Sequence, residues 1–156
     1  MILGELKYEI DSLYVSTEVI LNRQYQVPPL DGLLLESCLI HFRVVWDFFY
    51  APSKRKPNDV LVRDFVSQAD FDRTRPAEVG RLREVRRWLN SMLAHLSTDR
   101  IDARFKAGEI TMKDIELIRQ HTEQLFAAFV SCLPPERRME LINPVARKFA
   151  GYAVLR

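Results

Sequence analysis

The order of apolar and polar residues predicts four long helices. Between residues 3 and 22, apolar positions recur every three or four residues, and most charged residues fall elsewhere around the helix. Pro28 and Pro29 end this segment because proline cannot donate a backbone hydrogen bond. The second segment begins near Asp31, a candidate N-cap, and runs to about Tyr50. It is apolar most of the way round, which is typical of a helix in the middle of a bundle.

The third and fourth helices are predicted in the second half of the chain. Pro76 suits the first turn of the third helix. The apolar residues that follow occupy one narrow sector of a helical wheel: Leu82, Val85, Leu89, Met92, Leu93 and Leu96. This helix is expected to end near residues 97–100. The sequence from Thr111 to Asp114 forms a capping box for the fourth helix, which Pro134 ends.

The remaining segments are predicted to be short or irregular. Residues 52–57 indicate an exposed loop, 60–66 favour either a short helix or an extended crossover, and 68–76 is predicted to be a polar loop. The extension 134–156 can begin a short helix, but Pro144 and Gly151 break any long one. Because it ends in an apolar run, we expect it to pack on the bundle or on a second subunit.

Composition narrows the fold class. A chain of 156 residues has the size of one domain, so 1–156 is expected to be a single unit. Only 5 glycines accompany 9 Phe, 5 Tyr and 2 Trp, which leaves few turn residues for an all-β chain and ample material for a core. The prediction is an all-α, up-and-down bundle of four or five helices.

The small net charge of +2 conceals an asymmetry. Residues 1–50 hold seven acids and three bases, a net charge of −4, so the rest of the chain carries +6. The small net charge of the whole chain excludes a disordered tail or a supercharged protein that coats nucleic acid. Bases cluster in the loop 54–56, on the outer side of the third helix and in the tail 137–156. They are predicted on solvated faces of helices, and the alternative is a basic strip that faces nucleic acid or an acidic partner. The bases of the third helix are Arg81, Arg83, Arg86 and Arg87.

Cysteine usage and the N-terminus favour a reducing cytoplasm. Cys38 and Cys132 lie in apolar stretches, where a free thiol behaves as a small hydrophobic group, and no disulfide framework is expected. The N-terminus has no basic region or small-residue cleavage site of a secretion signal. Residues 30–50 are long enough to cross a bilayer, but charged residues interrupt them, so we expect a buried core helix and no membrane partner.

Familiar catalytic motifs are missing from the sequence. It contains no glycine-rich phosphate loop, no Cys-x-x-Cys, no His-Glu-x-x-His and no Gly-x-Ser-x-Gly. His41, His95 and His121 belong to three different predicted helices. We therefore expect neither a metal site nor a cofactor.

A few polar positions stand out against the apolar pattern. Arg43 is a charge inside the apolar second helix, and Asp47, four residues on, can neutralise it. His95 lies at the border of the apolar stripe of the third helix, followed by Ser97 and Arg100. One interpretation is structural, with an Arg43–Asp47 pair and a His95 that caps its helix. The other is an anion- or nucleotide-binding site built from these five residues.

Two of these segments carry a resemblance to known proteins. Arg43 precedes the pair Phe48-Phe49, and a later helix ends in Ala94-His95-Leu96-Ser97-Thr98-Asp99-Arg100. In this the chain resembles a group of small uncharacterised bacterial helical proteins and is more distantly similar to HEPN domains. The resemblance implies an all-helical bundle that dimerises and, in many members, cleaves RNA.

The RNase motif of HEPN domains differs from this sequence. In those RNases an Arg closely precedes the His, whereas here seven residues separate Arg87 from His95. The prediction is therefore a non-enzymatic helical binding or interaction module that forms a homo-oligomer or binds a protein partner. The alternative is a HEPN-like, metal-independent RNase with His95, Arg43 and Arg100 as catalytic residues, for which RNA is the partner.

Overall fold

The fold is built from helices. A computed structural model describes residues 2–22, 30–53, 56–94 and 110–142 of the chain. Within these ranges there are six α-helices and a 3-10 turn, Val62–Asp64, and no strand, which confirms the all-α prediction. The helices are α1 (Ile2–Leu21), α2 (Leu30–Tyr50), α3 (Gln68–Thr74), α4 (Gly80–Ala94), α5 (Met112–Cys132) and α6 (Pro135–Ile142).

Helix α2 packs against three other helices but is not enclosed as predicted, since Leu33, Ile40 and Val44 on its opposite side are 43–58% exposed. It contacts α1, α4 and α5, while α5 also contacts α1 and α3. The short connection after α1 makes α2 antiparallel to it, and His41 of α2 bonds Glu9 of α1 through Nδ1 and Oε2 at 2.7 Å. Because three neighbours cover α2, its Phe42, Val45 and Phe49 are at most 2% exposed.

Five phenylalanines join α2, the 3-10 turn, α3 and α5. Phe49 stacks on Phe71 with ring centroids 5.5 Å apart, and Phe48 meets Phe129 edge to face at the same distance. Phe65 packs against both Phe48 and Phe129. Each such aromatic pair adds about 0.5–1.5 kcal/mol beyond the burial of its area. Five of the 9 phenylalanines in the chain therefore lie in one cluster.

The segment predicted as a polar loop is a helix in the structure. Helix α3 covers Gln68–Thr74, and Phe71 at its centre is fully buried. The side chains of Gln68 and Arg75 both reach Asp72, which stabilises this short helix from its polar side. The prediction was wrong because one buried aromatic residue anchors a turn that is otherwise polar.

The third predicted helix starts later than expected. Helix α4 begins at Gly80, and residues 76–79 are not helical. The carbonyl of Pro76 accepts a hydrogen bond from the hydroxyl of Tyr50 at 3.2 Å. This contact with α2 holds Pro76 outside the helix whose first turn it was predicted to form.

The predicted capping box of the fourth helix is confirmed at the start of α5. Thr111 Oγ1 accepts from the amide of Asp114, and Asp114 Oδ2 accepts from the amide of Thr111 at 2.8 Å. Arg81 of α4 donates to both carboxylate oxygens of Asp114, from Nε at 2.8 Å and from Nη2 at 3.1 Å. Mainly through this contact, the pKa of Asp114 falls to about 2.

Within the described ranges, no helix combines the length and the hydropathy that a membrane crossing requires.

The predicted short helix of the C-terminal extension is confirmed as α6, which contacts α1. Residues 143–156 lie outside the described residues, so the prediction that the extension packs on the bundle or a second subunit stays a prediction.

Candidate functional site

One side of α2 carries a run of polar groups toward α4 and α5, which we call the polar strip. It consists of Arg43, Asp47 and Tyr50 of α2, Arg86 of α4 and His121 of α5. On a helix, residues three and four positions apart are neighbours, so the three α2 residues lie along one side. The polar strip therefore lies where three helices meet.

Arg86 is the most deeply buried charge of the polar strip, at 5% exposure. Its Nε donates to Asp47 Oδ1 at 2.9 Å, and its Nη2 donates to Oδ1 at 2.6 Å and Oδ2 at 2.7 Å. The Asp47 side chain remains 31% exposed. Hydrogen bonds between two charged groups are about twice as strong as neutral ones, so this pair holds α4 against α2.

The third nitrogen of the Arg86 guanidinium is not satisfied in this arrangement. Nη1 is buried and has no acceptor in the described part of the chain. Leaving a buried donor without a partner costs about 1–3 kcal/mol, and more when the group is charged. The packing of α2 and α4 therefore includes a donor that a further acceptor would stabilise.

Arg43 lies one turn before Asp47 on α2. Its side chain is half-buried, and it takes part in no ion pair among the residues that the structure describes. The Cβ atoms of residues one turn apart are about 6 Å apart, so Arg43 starts close to the carboxylate that Arg86 binds. Arg43 therefore lies on the same side of α2 as that carboxylate.

Tyr50 and His121 form the other end of the polar strip. Tyr50 Oη lies 2.9 Å from His121 Nε2 and 3.2 Å from the carbonyl oxygen of Pro76. A phenol has one proton, so both contacts are satisfied when Tyr50 donates to Pro76 and the Nε2–H of His121 donates to Tyr50. The two rings are nearly parallel, and Trp46 packs on Tyr50 at 4.5 Å.

Burial keeps this pair uncharged. It raises the pKa of Tyr50 to about 12, partly opposed by the nearby charge of Arg75, and it lowers the pKa of His121 below 6.5. Glu78 opposes the shift of His121 but is the weaker influence. At neutral pH the phenol is protonated and the imidazole is neutral, so the pair is an internal hydrogen bond between α2 and α5.

A separate apolar groove lies between α1 and α5. Its floor includes Leu13 and Phe126, and its volume is about 190 Å³. Arg119 at the rim is held by Glu18 of α1 at 3.0 Å and by Glu116 of α5 at 2.7 Å. These pairs occupy its charge, and the other polar residues that line the groove are Asp11, Tyr14, Thr17, Thr122 and Glu123.

The structure places some of the predicted site residues. Arg43 and Asp47 lie on the same side of α2, and the ion pair described at Asp47 is with Arg86. His95, Ser97 and Arg100 lie outside the described residues, so their proximity to Arg43 stays a prediction. No group of His, Cys, Asp and Glu side chains suited to a metal ion occurs in the described ranges.

Sequence reasoning missed Arg86, which was expected on the solvated side of α4. Its burial corrects that expectation. On the helical wheel Arg86 falls about 20° from Leu93, at the edge of the apolar stripe. Two features could have identified Arg86 from the sequence. It lies beside the apolar stripe of α4, and α2 carries a carboxylate, Asp47, that can pair with it.

Comparison with known proteins provides no relative from which a function can be carried over. Neither a family model, nor a curated protein, nor a solved structure matches this chain.

Proposed function

We propose that this protein is a non-enzymatic helical interaction module of the cytoplasm that self-associates. The observation that carries the proposal is the side of the α1–α2 hairpin that faces away from the core. We call it the outer face. It consists of Tyr8, Ser12, Val15 and Val19 on α1 and of Leu33, Ser37, Ile40 and Val44 on α2.

The outer face is apolar and exposed. Val15 is 60% exposed, Leu33 58%, Ile40 44%, Val44 43% and Tyr8 41%. None of its eight positions carries a charge. Isolated exposed apolar residues are ordinary, but an apolar patch that extends along two neighbouring helices is typical of an interaction surface.

The spacing on the outer face matches that of a coiled-coil seam. On each helix the positions follow intervals of four, three and four residues, as the a and d positions of a heptad do. The inward sides of the same helices form the core of the chain. Each helix therefore carries a second, mainly apolar seam, and five of its eight side chains on the two helices are exposed in the described part of the chain.

A second copy of the chain is the partner that this pattern fits best. The same spacing occurs on both antiparallel helices, so a two-fold rotation about an axis parallel to the hairpin places α1 of one copy over α2 of the other. The Glu9–His41 contact shows that residue 9 of α1 lies beside residue 41 of α2 along the helix axes. The rotation would therefore place Tyr8 of one copy near Ile40 and Val44 of the other. Such a self-matching face is what an isologous dimer requires.

The nuclease alternative has less support among the described residues. It depends on His95 and Arg100, which lie outside them. His121 is held neutral in its hydrogen bond with Tyr50. Self-association through the outer face is therefore the function that the described geometry supports best.

Analytical ultracentrifugation of the full chain tests this proposal. We expect a dimer, and we expect the double substitution Val15→Glu, Ile40→Glu to convert it to a monomer, because each dimer would bury four carboxylates in an apolar interface. The control is Met139→Glu on α6, which changes a side chain that is 53% exposed outside the outer face. A parent chain that is monomeric at high concentration, or a control that dissociates equally, contradicts the proposal.

A further inference from the structure

The groove between α1 and α5 is a separate surface from the outer face, since the two share no lining residue. We propose that the same chain fills it: residues 143–156 return across the groove, and the ring of Phe149 inserts into it. These residues follow α6 and lie outside the described ranges. The inference adds a contact within one chain to the self-association proposed above and does not depend on it.

The groove has the size and the lining for one aromatic ring. Its volume is about 190 Å³, and an apolar cavity of about 150 Å³ is enough to hold benzene. The buried side chains of Ile10 and Leu13 line it together with the aromatic side chains of Tyr14 and Phe126. Aromatic rings that meet edge to face or offset add to the free energy of burial. Because Tyr14 is 44% exposed, a third ring would bury apolar surface that the described residues leave open.

The rim of the groove carries more acids than bases. Three glutamates pair with the one guanidinium of Arg119, two of them within 3.0 Å. Asp11 pairs with Lys7, and the Asp11 side chain is 56% exposed. These four acids and two bases leave a net charge of −2 around the groove. A basic occupant therefore fits this rim better than an acidic one.

Residues 143–156 have the matching composition. They include three bases and no acid, and Arg147 and Lys148 come directly before Phe149. A Phe149 ring in the groove would bring these two positive charges to the acidic rim. Tyr152 is the other aromatic residue of the segment, and it lies three residues further from the basic pair. The charge of the rim therefore favours Phe149.

The length of the segment allows this return. Helix α6 contacts α1, which forms one wall of the groove, and α6 ends at Ile142. The groove lies along the middle of α1, at most about 17 Å from either end at 1.5 Å per residue. An extended chain spans about 3.3 Å per residue, so the residues from 143 to 149 cover about 23 Å. Phe149 can therefore reach the groove from either end of α1.

Paramagnetic NMR of the full chain tests the contact. A nitroxide is attached to the variant Ala153→Cys in a Cys132→Ser background, in which the remaining native thiol, Cys38, is buried and does not react. We expect the label to abolish the amide signals of Thr122 and Phe126 at the groove, and Phe149→Asp to restore them. Val154→Asp is the matched control: it alters the same apolar run but keeps the ring, so the signals should stay lost.

An equal mixture of nitroxide-labelled chains and isotope-labelled chains shows whether the contact is made within one chain. Only the isotope-labelled chains give signals, and we expect a smaller loss there than within a doubly labelled chain. A loss in the mixture that is at least as great would assign the groove to the segment of a second copy and overturn the proposal. Signals that persist in the doubly labelled chain, or that recover equally in Phe149→Asp and Val154→Asp, also overturn it. Ultracentrifugation of Phe149→Asp reports separately on the outer face, where no change is expected.

Discussion

The ion pairs of α4 place two of its arginines at contacts with other helices. Arg86 reaches Asp47 of α2, and Arg81 reaches Asp114 of α5. Residue types and helical spacing predicted that α4 is basic on one side, but they could not show which arginines turn inward. That depends on carboxylates of other helices, whose positions follow from tertiary packing. Hence Arg43 and Asp47 were identified from sequence, and Arg86 was missed.

At the same scale, His121 is expected to make stability depend on pH. Its pKa in the folded chain is below 6.5 because it is buried, so the folded state takes up its proton less readily than the unfolded state. Its contribution to stability is complete above about pH 6.5 and is lost as the pH falls through that value toward the folded pKa.

Urea unfolding at about pH 7.5 and about pH 5.5 measures this effect. We expect the parent chain to be less stable at the lower pH, and the difference to shrink in His121→Gln, which cannot be protonated. Tyr50 and Glu78 face the imidazole, and both remain in the variant. An equal loss of stability in both chains would assign the dependence to other groups.

At the scale of elements, the sequence predicted those helices whose pattern is encoded in neighbouring residues. The capping box at Thr111 and the apolar periodicity of α1, α2, α4 and α5 are encoded in neighbouring residues, and the structure has helices there. Helix α3 has no such periodicity, because one buried residue, Phe71, anchors it. The late start of α4 depends on a bond between Pro76 and Tyr50 of another helix. Long-range contacts of this kind leave no local pattern.

The capping box also predicts a specific loss of stability. Asp114→Ala removes the carboxylate half of the capping box of α5 and leaves Arg81 without this carboxylate, so we expect the free energy of unfolding to fall by about 2 kcal/mol. Asp70→Ala is the matched control, since its partner Arg73 is exposed and such surface pairs contribute about 0–1 kcal/mol. Urea unfolding at neutral pH compares the two variants. A similar loss of unfolding free energy in both variants would show that the capping-box carboxylate contributes no more than an exposed surface pair.

Acid should remove the same contribution. The pKa of Asp114 is about 2 in the folded chain against an ordinary value of 3.8. Its contribution is therefore complete above about pH 4 and is lost as the pH falls through 3.8 toward 2. The stability difference between the parent and Asp114→Ala should narrow over that range.

At the scale of the molecule, the distribution of charge follows the packing of the helices. The first 50 residues carry −4 and include both helices of the outer face, whereas the basic remainder supplies Arg81, Arg86 and Arg119 to carboxylates on other helices. Arg86 and Arg119 join this basic part to acids of α2 and α1. The net charge of +2 is thus the sum of two parts that attract each other.

Those connections lead us to expect that the chain unfolds as one unit, as its length predicts. Trp46 of α2 packs near His121, while Trp88 belongs to α4, so the two indoles report on different helices. We expect Trp46→Phe and Trp88→Phe to show unfolding curves by fluorescence that coincide with circular dichroism of the same variant, because the buried cluster spans α1 to α6. Fluorescence and circular dichroism midpoints that differ within one variant would show that α4 unfolds apart from the α1–α2 hairpin.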